Sequence, residues 1–115
     1  MDFSIEQQNA VCVVSPVGDR LDAAQAVAFK EALKKIVDDG ANVMLLDLSN
    51  IQFLDSSGLG ALVAHLKYMG VERQFELCGL TPTVEKVFKL TRMDGIFKIY
   101  TDRAAALSQA DAKAG

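Results

Sequence analysis

The sequence predicts a single α/β domain with a mixed, mostly parallel β-sheet and amphipathic helices, in the order β-β-α-β-α-β-α-β-α. Three observations predict it. The chain has 115 residues, one ordinary domain whose core buries roughly two-thirds of the unfolded surface. It opens with two strand-like runs joined by a polar turn. Thereafter short apolar runs alternate with segments carrying a 3.6-residue stripe, the pattern of parallel strands joined by crossover helices.

Residues 3–7 and 10–17 form the opening hairpin, with Gln7-Gln8-Asn9 at the turn and the strand formers Val11, Cys12, Val13 and Val14 in the second arm. Pro16 places that arm at an edge or at its end, and Gly18-Asp19 marks the exit. Ala26, Phe29, Leu33, Ile36 and Val37 then share one helical face, with Lys30, Glu31, Lys34 and Lys35 on the other. Asp22 is the expected N-cap of this helix and Gly40 its stop.

Val43-Met44-Leu45-Leu46-Asp47-Leu48 is nearly continuous in apolar residues, as expected of a central strand covered on both faces. A loop over 49–54 leads to Asp55-Ser56-Ser57-Gly58. Leu59, Leu62, Val63, Leu66 and Met69 follow as a second helical stripe ending at Gly70. Residues 75–78 read as a strand. Thr81 and Pro82 read as the N-cap and first residue of a third helix carrying Val84, Val87 and Phe88. Residues 97–100 are the last strand, and Asp102 caps an Ala-rich helix through Leu107. The expected domain is 1–110, with 111–115 a frayed C-terminal tail.

Composition removes several function classes. Half of the residues are hydrophobic and 23% charged, so the chain can fill a core. Its net charge is −3, with a pI near 5.0, which offers no positive field for nucleic acid or an anionic membrane. No apolar run approaches the ~18 residues of a membrane span, and the N-terminus lacks the basic and apolar regions of a secretory signal. A cytoplasmic location is expected. Cys12 and Cys78 sit in separate β-like runs and read as buried, reduced thiols. With 1 His and no CxxC or HxxxH, neither a metal site nor a cofactor is expected.

Chemistry concentrates in Asp55-Ser56-Ser57-Gly58-Leu59-Gly60, where a loop meets a helix N-terminus. Asp and Ser are favoured helix caps, which accounts for the polar residues but not for the glycines, each costing ~1 kcal/mol in a helix interior. A serine hydrolase would need a base beside the hydroxyl. His65, nine residues after Ser56, falls on the opposite helical face and reads as a solvated surface residue. A phosphate-binding loop would need a Gly-Lys-Ser/Thr that is absent. A regulatory phosphorylation site fits better, because a helix N-terminus stabilises negative charge and a new dianion can repel a partner while leaving the fold intact.

The chain resembles the STAS family of anti-sigma-factor antagonists over nearly its whole length. The resemblance rests on the apolar strand ending in Asp47-Leu48, on Phe53-Leu54-Asp55-Ser56-Ser57-Gly58-Leu59-Gly60, on Thr81-Pro82-Thr83-Val84, and on Leu90-Thr91 followed by Phe97-Lys98-Ile99-Tyr100. It implies a single STAS-like domain and a non-enzymatic, transcription-regulating function by partner switching. The unphosphorylated antagonist binds a GHKL-type serine-kinase anti-sigma factor and frees a sigma factor. Phosphorylation by that kinase ends binding, and a PP2C-type phosphatase restores it.

By the same resemblance Ser56 is the phosphoacceptor, with Ser57 second, and Asp55 holds the loop or faces the kinase. Gly58, Leu59 and Gly60 let the kinase's nucleotide pocket approach, and Asp22 lies by the partner surface while also able to cap a helix. Gly18-Asp19-Arg20-Leu21-Asp22 is one residue longer than the family's Gly-x-Leu-Asp. Arg92 replaces a common Gly, read as a local change outside the switch. The alternative is an unphosphorylated STAS-type interaction subunit of a transporter or signalling scaffold. A monomer is expected.

Overall fold

The computed structural model describes the backbone of residues 2–114 and the side chains of residues 2–109. Its elements are β1 (Asp2–Gln8), β2 (Val11–Val17), β3 (Arg20–Leu21), α1 (Ala26–Asp38), β4 (Val43–Asp47), β5 (Phe53–Leu54), α2 (Ser56–Met69), β6 (Gln74–Cys78), α3 (Pro82–Leu90), a 3-10 turn (Met93–Gly95), β7 (Lys98–Tyr100) and α4 (Arg103–Ala114). The nine predicted elements are present in their predicted order. The additions are the two-residue strands β3 and β5 and the 3-10 turn, all too short to leave a periodic signal.

Five strands form one sheet in the order β1-β2-β4-β6-β7. β1 and β2 pair antiparallel, and every other neighbour pair is parallel. β4 is central, as its apolar run predicts, and Met44, Leu45 and Leu46 are fully buried. Asn9 makes the hairpin turn with φ 55°, a left-handed conformation that Asn tolerates better than most residues. β2 is not an edge strand. Its ladder to β4 covers only Cys12 to Val14, so Pro16 lies past the stretch where a missing N–H would break a central pairing.

Alternation along the strands divides the core. Cys12, Val14, Met44, Leu46, Phe75 and Leu77 pack with Phe29 and Leu33 of α1, Leu62 of α2, and Val84 and Phe88 of α3. Val11, Val13, Leu45 and Cys78 face the other way and meet Ala106 of α4. Both cysteines are free and buried, and burial, aided by the Asp47 carboxylate, pushes the Cys78 thiol up to about 12.

Several helix ends differ from expectation. α1 starts at Ala26 with Gln25 in the cap position. Asp22 instead closes the turn before it, where its carbonyl accepts from the Gln25 and Ala26 amides and its Oδ1 from the Ala24 amide at 3.0 Å. Thr81 occupies the α3 cap position, but its hydroxyl donates to the Ile51 carbonyl at 2.8 Å and leaves its own helix uncapped. Asp102 caps α4 as predicted, accepting from the Ala105 amide at 2.8 Å. That helix continues past Leu107 to Ala114, through most of the segment read as a tail; Gly115 lies outside the described residues.

Candidate functional site at the N-terminus of α2

Two loops meet at the start of α2 because β3 and β5 pair in parallel, Arg20 opposite Phe53 and Leu21 opposite Leu54. The Asp19 carbonyl reinforces this clamp by accepting from the Gln52 and Phe53 amides at 2.7 and 3.1 Å. Asp22 and Asp55, distant in sequence, therefore stand in adjoining loops. Asp55 is the N-cap of α2. Its Oδ1 accepts from the Gly58 amide at 2.9 Å, and its Oδ2 accepts from the Ala23 amide at 3.1 Å. One carboxylate thus caps the helix and ties it to the Asp22 loop.

The second loop carries a small charged platform. Arg20 Nε donates to Asp22 Oδ2 at 3.2 Å, and its guanidinium lies 4.3 Å from the centre of the Phe53 ring, which is 40% exposed. Sequence reading missed this platform. Its signals were an aromatic residue inside a loop and the extra residue in Gly18-Asp19-Arg20-Leu21-Asp22, which lies within the paired stretch.

The glycines act differently from one another. A Cβ on Gly58 would lie 2.2 Å from the Leu21 carbonyl oxygen and 2.8 Å from Leu54 Cδ1, whereas one on Gly60 would meet nothing within 4 Å. Gly58 is buried and admits the β3 backbone to the first turn of α2. Leu59 is also buried, so of the three residues read as an open approach only Gly60 is exposed.

Ser56 and Ser57 are both exposed and point to different neighbours. Ser56 lines a groove with Gly60, Val63, Lys67 and Met93. Ser57 lines a separate hollow with Ala26, Val27 and Lys30 of α1. The first amides of α2 have no intrahelical acceptors, so negative charge on Ser56 would be met by a positive helix end.

The sole imidazole does not serve these hydroxyls. His65 is not a surface residue: it is 2% exposed and packs edge-to-face with Phe75 at 4.7 Å between ring centres. The buried face of α2 is turned toward Ala61 and His65, while Val63 and Leu66 of the predicted stripe are half-buried. Burial, and secondly the Arg73 charge, lowers the His65 imidazole to about 4. Both Asp55 oxygens are occupied. Among the described residues no group of three His, Cys, Asp or Glu could hold a metal, and no helix is long and apolar enough to cross a membrane. The site can present a hydroxyl to an incoming group.

This sheet order, with an aspartate-capped pair of serines opening the second helix, defines the class. The chain belongs to the STAS domain family, whose model matches residues 2–106. Among its relatives, the anti-sigma-F factor antagonist RsfB of Mycobacterium tuberculosis is 28% identical over 105 residues, 91% of this chain and 85% of that one. A crystallised anti-sigma factor antagonist from Mycobacterium paratuberculosis superposes with TM-score 0.84 at 30% identity, covering 94% of this chain and 92% of the other. The Bacillus cell fate determinant SpoIIAA, solved in its phosphorylated form, shares the fold with TM-score 0.69 at 20% identity, over 95% of this chain and 99% of its own.

Proposed function

We propose that this chain is an anti-sigma factor antagonist whose unphosphorylated form binds an anti-sigma serine kinase of the GHKL type, releasing a sigma factor. Phosphorylation of Ser56 by that kinase ends the binding, and a PP2C-type phosphatase restores it. The observation that carries this reading is the state of Ser56, exposed at the first position of a helix already capped by Asp55. A phosphate there gains the helix dipole without displacing the cap. The names of the relatives fit the same reading.

The chain is then a cytoplasmic substrate and binding partner rather than a catalyst. In this reading the kinase supplies the base, since the sole imidazole is buried and Asp55 is held by two backbone amides. Asp22, Asp55, Ser57 and Gly60 border the acceptor and belong to the partner surface, while Gly58 and Leu59 hold that surface in place from behind.

The test is incubation of the wild type, Ser56→Ala and Ser57→Ala with each of the cell's anti-sigma serine kinases and ATP, read by intact mass. Wild type and Ser57→Ala should take one phosphate and Ser56→Ala none. Phosphate uptake by Ser56→Ala equal to wild type would overturn the assignment.

A further inference from the structure

The two faces of the sheet hold their helices by different means. Three helices cover one face, with Phe29 and Leu33 of α1, Leu62 of α2, and Val84 and Phe88 of α3 fully buried against it. The other face carries Val11, Val13, Leu45 and Cys78, all buried. Of the described side chains of α4, only Ala106 is buried among them, with Leu107 half-buried beside it. Leu107 is also the one apolar side chain larger than alanine in the whole sequence of that helix. Burial stabilises in proportion to apolar area, so α4 is held to its face by far less than α1, α2 and α3 are held to theirs.

Polar contact supplies the remainder, and Arg103 is the latch. Its guanidinium meets Glu6 of β1, Ser15 of β2 and Asp47 of β4. These groups regain water together when the helix lifts, so opening strands no charge, whereas deleting the guanidinium from the closed chain does. α4 also needs little from the sheet to remain helical. Asp102 caps it from its own segment, accepting from the Ala105 amide, and half of its 12 residues are alanine, the best helix former. Thr101 and Asp102, both exposed, join it to β7.

We propose that α4 is a releasable cover: it lifts from the sheet as a unit while the five strands and α1, α2 and α3 stay folded, baring the apolar strip of Val11, Val13, Leu45 and Cys78. Local opening of this kind belongs to the segment with the fewest buried apolar contacts. The strip lies on the opposite side of the sheet from α2. The domain therefore keeps a second surface closed by its own chain, apart from Ser56, and the inference does not rest on phosphorylation there.

Cys78 reports the opening, because its thiol is fully buried in the closed chain and belongs to the strip. The test is alkylation of the full chain by iodoacetamide, with the label on Cys78 distinguished by peptide mass from any on Cys12, which lies on the other face. Well below the unfolding midpoint the Cys78 rate should change by no more than about twofold per molar urea, since lifting one helix exposes little surface. Leu33→Ala weakens the opposite face and should leave that rate within about twofold of wild type. Arg103→Met should raise it by about tenfold or more. A rate that climbs steeply with urea, and by about thirtyfold or more in Leu33→Ala, would show that Cys78 is reached only by unfolding of the whole domain and would overturn the cover. If Leu33→Ala does not fold, the urea dependence of the wild type decides between these outcomes. A Cys78 rate unchanged in Arg103→Met would overturn the latch, and with it the release of α4 as the route to the thiol.

Discussion

At the scale of single residues, the same residue type does opposite work depending on what stands opposite it. Gly58 and Gly60 are two positions apart on one helix, yet the first is fixed by a carbonyl oxygen 2.2 Å from its absent Cβ while the second faces open space. Neither role is legible in the sequence, because the Leu21 carbonyl that decides the matter arrives from another loop. His65 shows the same limit: its helical angle relative to Ser56 was readable, but the packing of α1 and β6 around that face was not. Its burial has a pH signature. The folded chain holds the imidazole neutral down to about pH 4, whereas an unfolded His takes its proton near pH ~6.5. The stabilisation from a neutral His65 is therefore complete above about pH 6.5 and is lost as pH falls toward 4, by up to about 3 kcal/mol. Urea unfolding of wild type and His65→Leu between pH 7 and 4 checks this. Wild type should lose stability faster than the variant across that window, and parallel curves would refute it.

At the scale of elements, the strands and long helices were legible because burial on one or both faces imposes a period on the sequence, as in Val43 to Asp47 and in the α1 stripe. Elements made by long-range contact were not. β3 and β5 exist only as each other's partner, and α4 is seated by Ala106 against the sheet and by one long polar side chain. Arg103, in its first turn, reaches three strands, with Nη1 3.0 Å from Glu6 Oε2, Nη2 2.8 Å from Ser15 Oγ and 3.0 Å from Asp47 Oδ2. Asp47 is 9% exposed, so removing the guanidinium leaves a nearly buried carboxylate with the Ser49 amide, 3.0 Å from its Oδ1, in place of its counter-charge. Arg103→Met should cost about 3 kcal/mol, the lower end for breaking a buried pair, and should speed amide exchange in α4. Adding Asp47→Asn to that variant should recover part of the loss, since the stranded charge is then gone. Additive losses in the double variant, measured by chemical denaturation, would show that the pair is not coupled.

At the scale of the whole molecule, the radius of gyration of 13.0 Å is that of a folded domain of this length, about 13 Å, and the switch proposed at Ser56 would act on that body without opening it. A phosphate on Ser56 would move the net charge from −3 to about −5. Two local terms oppose each other there. The α2 N-terminus favours the phosphate by about 0.3–1 kcal/mol, while the carboxylates of Asp55 and Asp22 stand close enough to repel it. Ser56 takes no part in the core, so neither term is transmitted into the sheet. The unfolding free energies of the phosphorylated and unmodified proteins should therefore agree within about 1 kcal/mol. Amide chemical shifts should change in the Asp22 loop, the first two turns of α2 and the 3-10 turn, and stay fixed through β4 and β6. A phosphorylated chain that melted well below the unmodified one, or whose sheet resonances shifted, would show that the modification acts by loosening the fold. The partner would then be responding to a lost structure rather than to a charge placed on an intact surface.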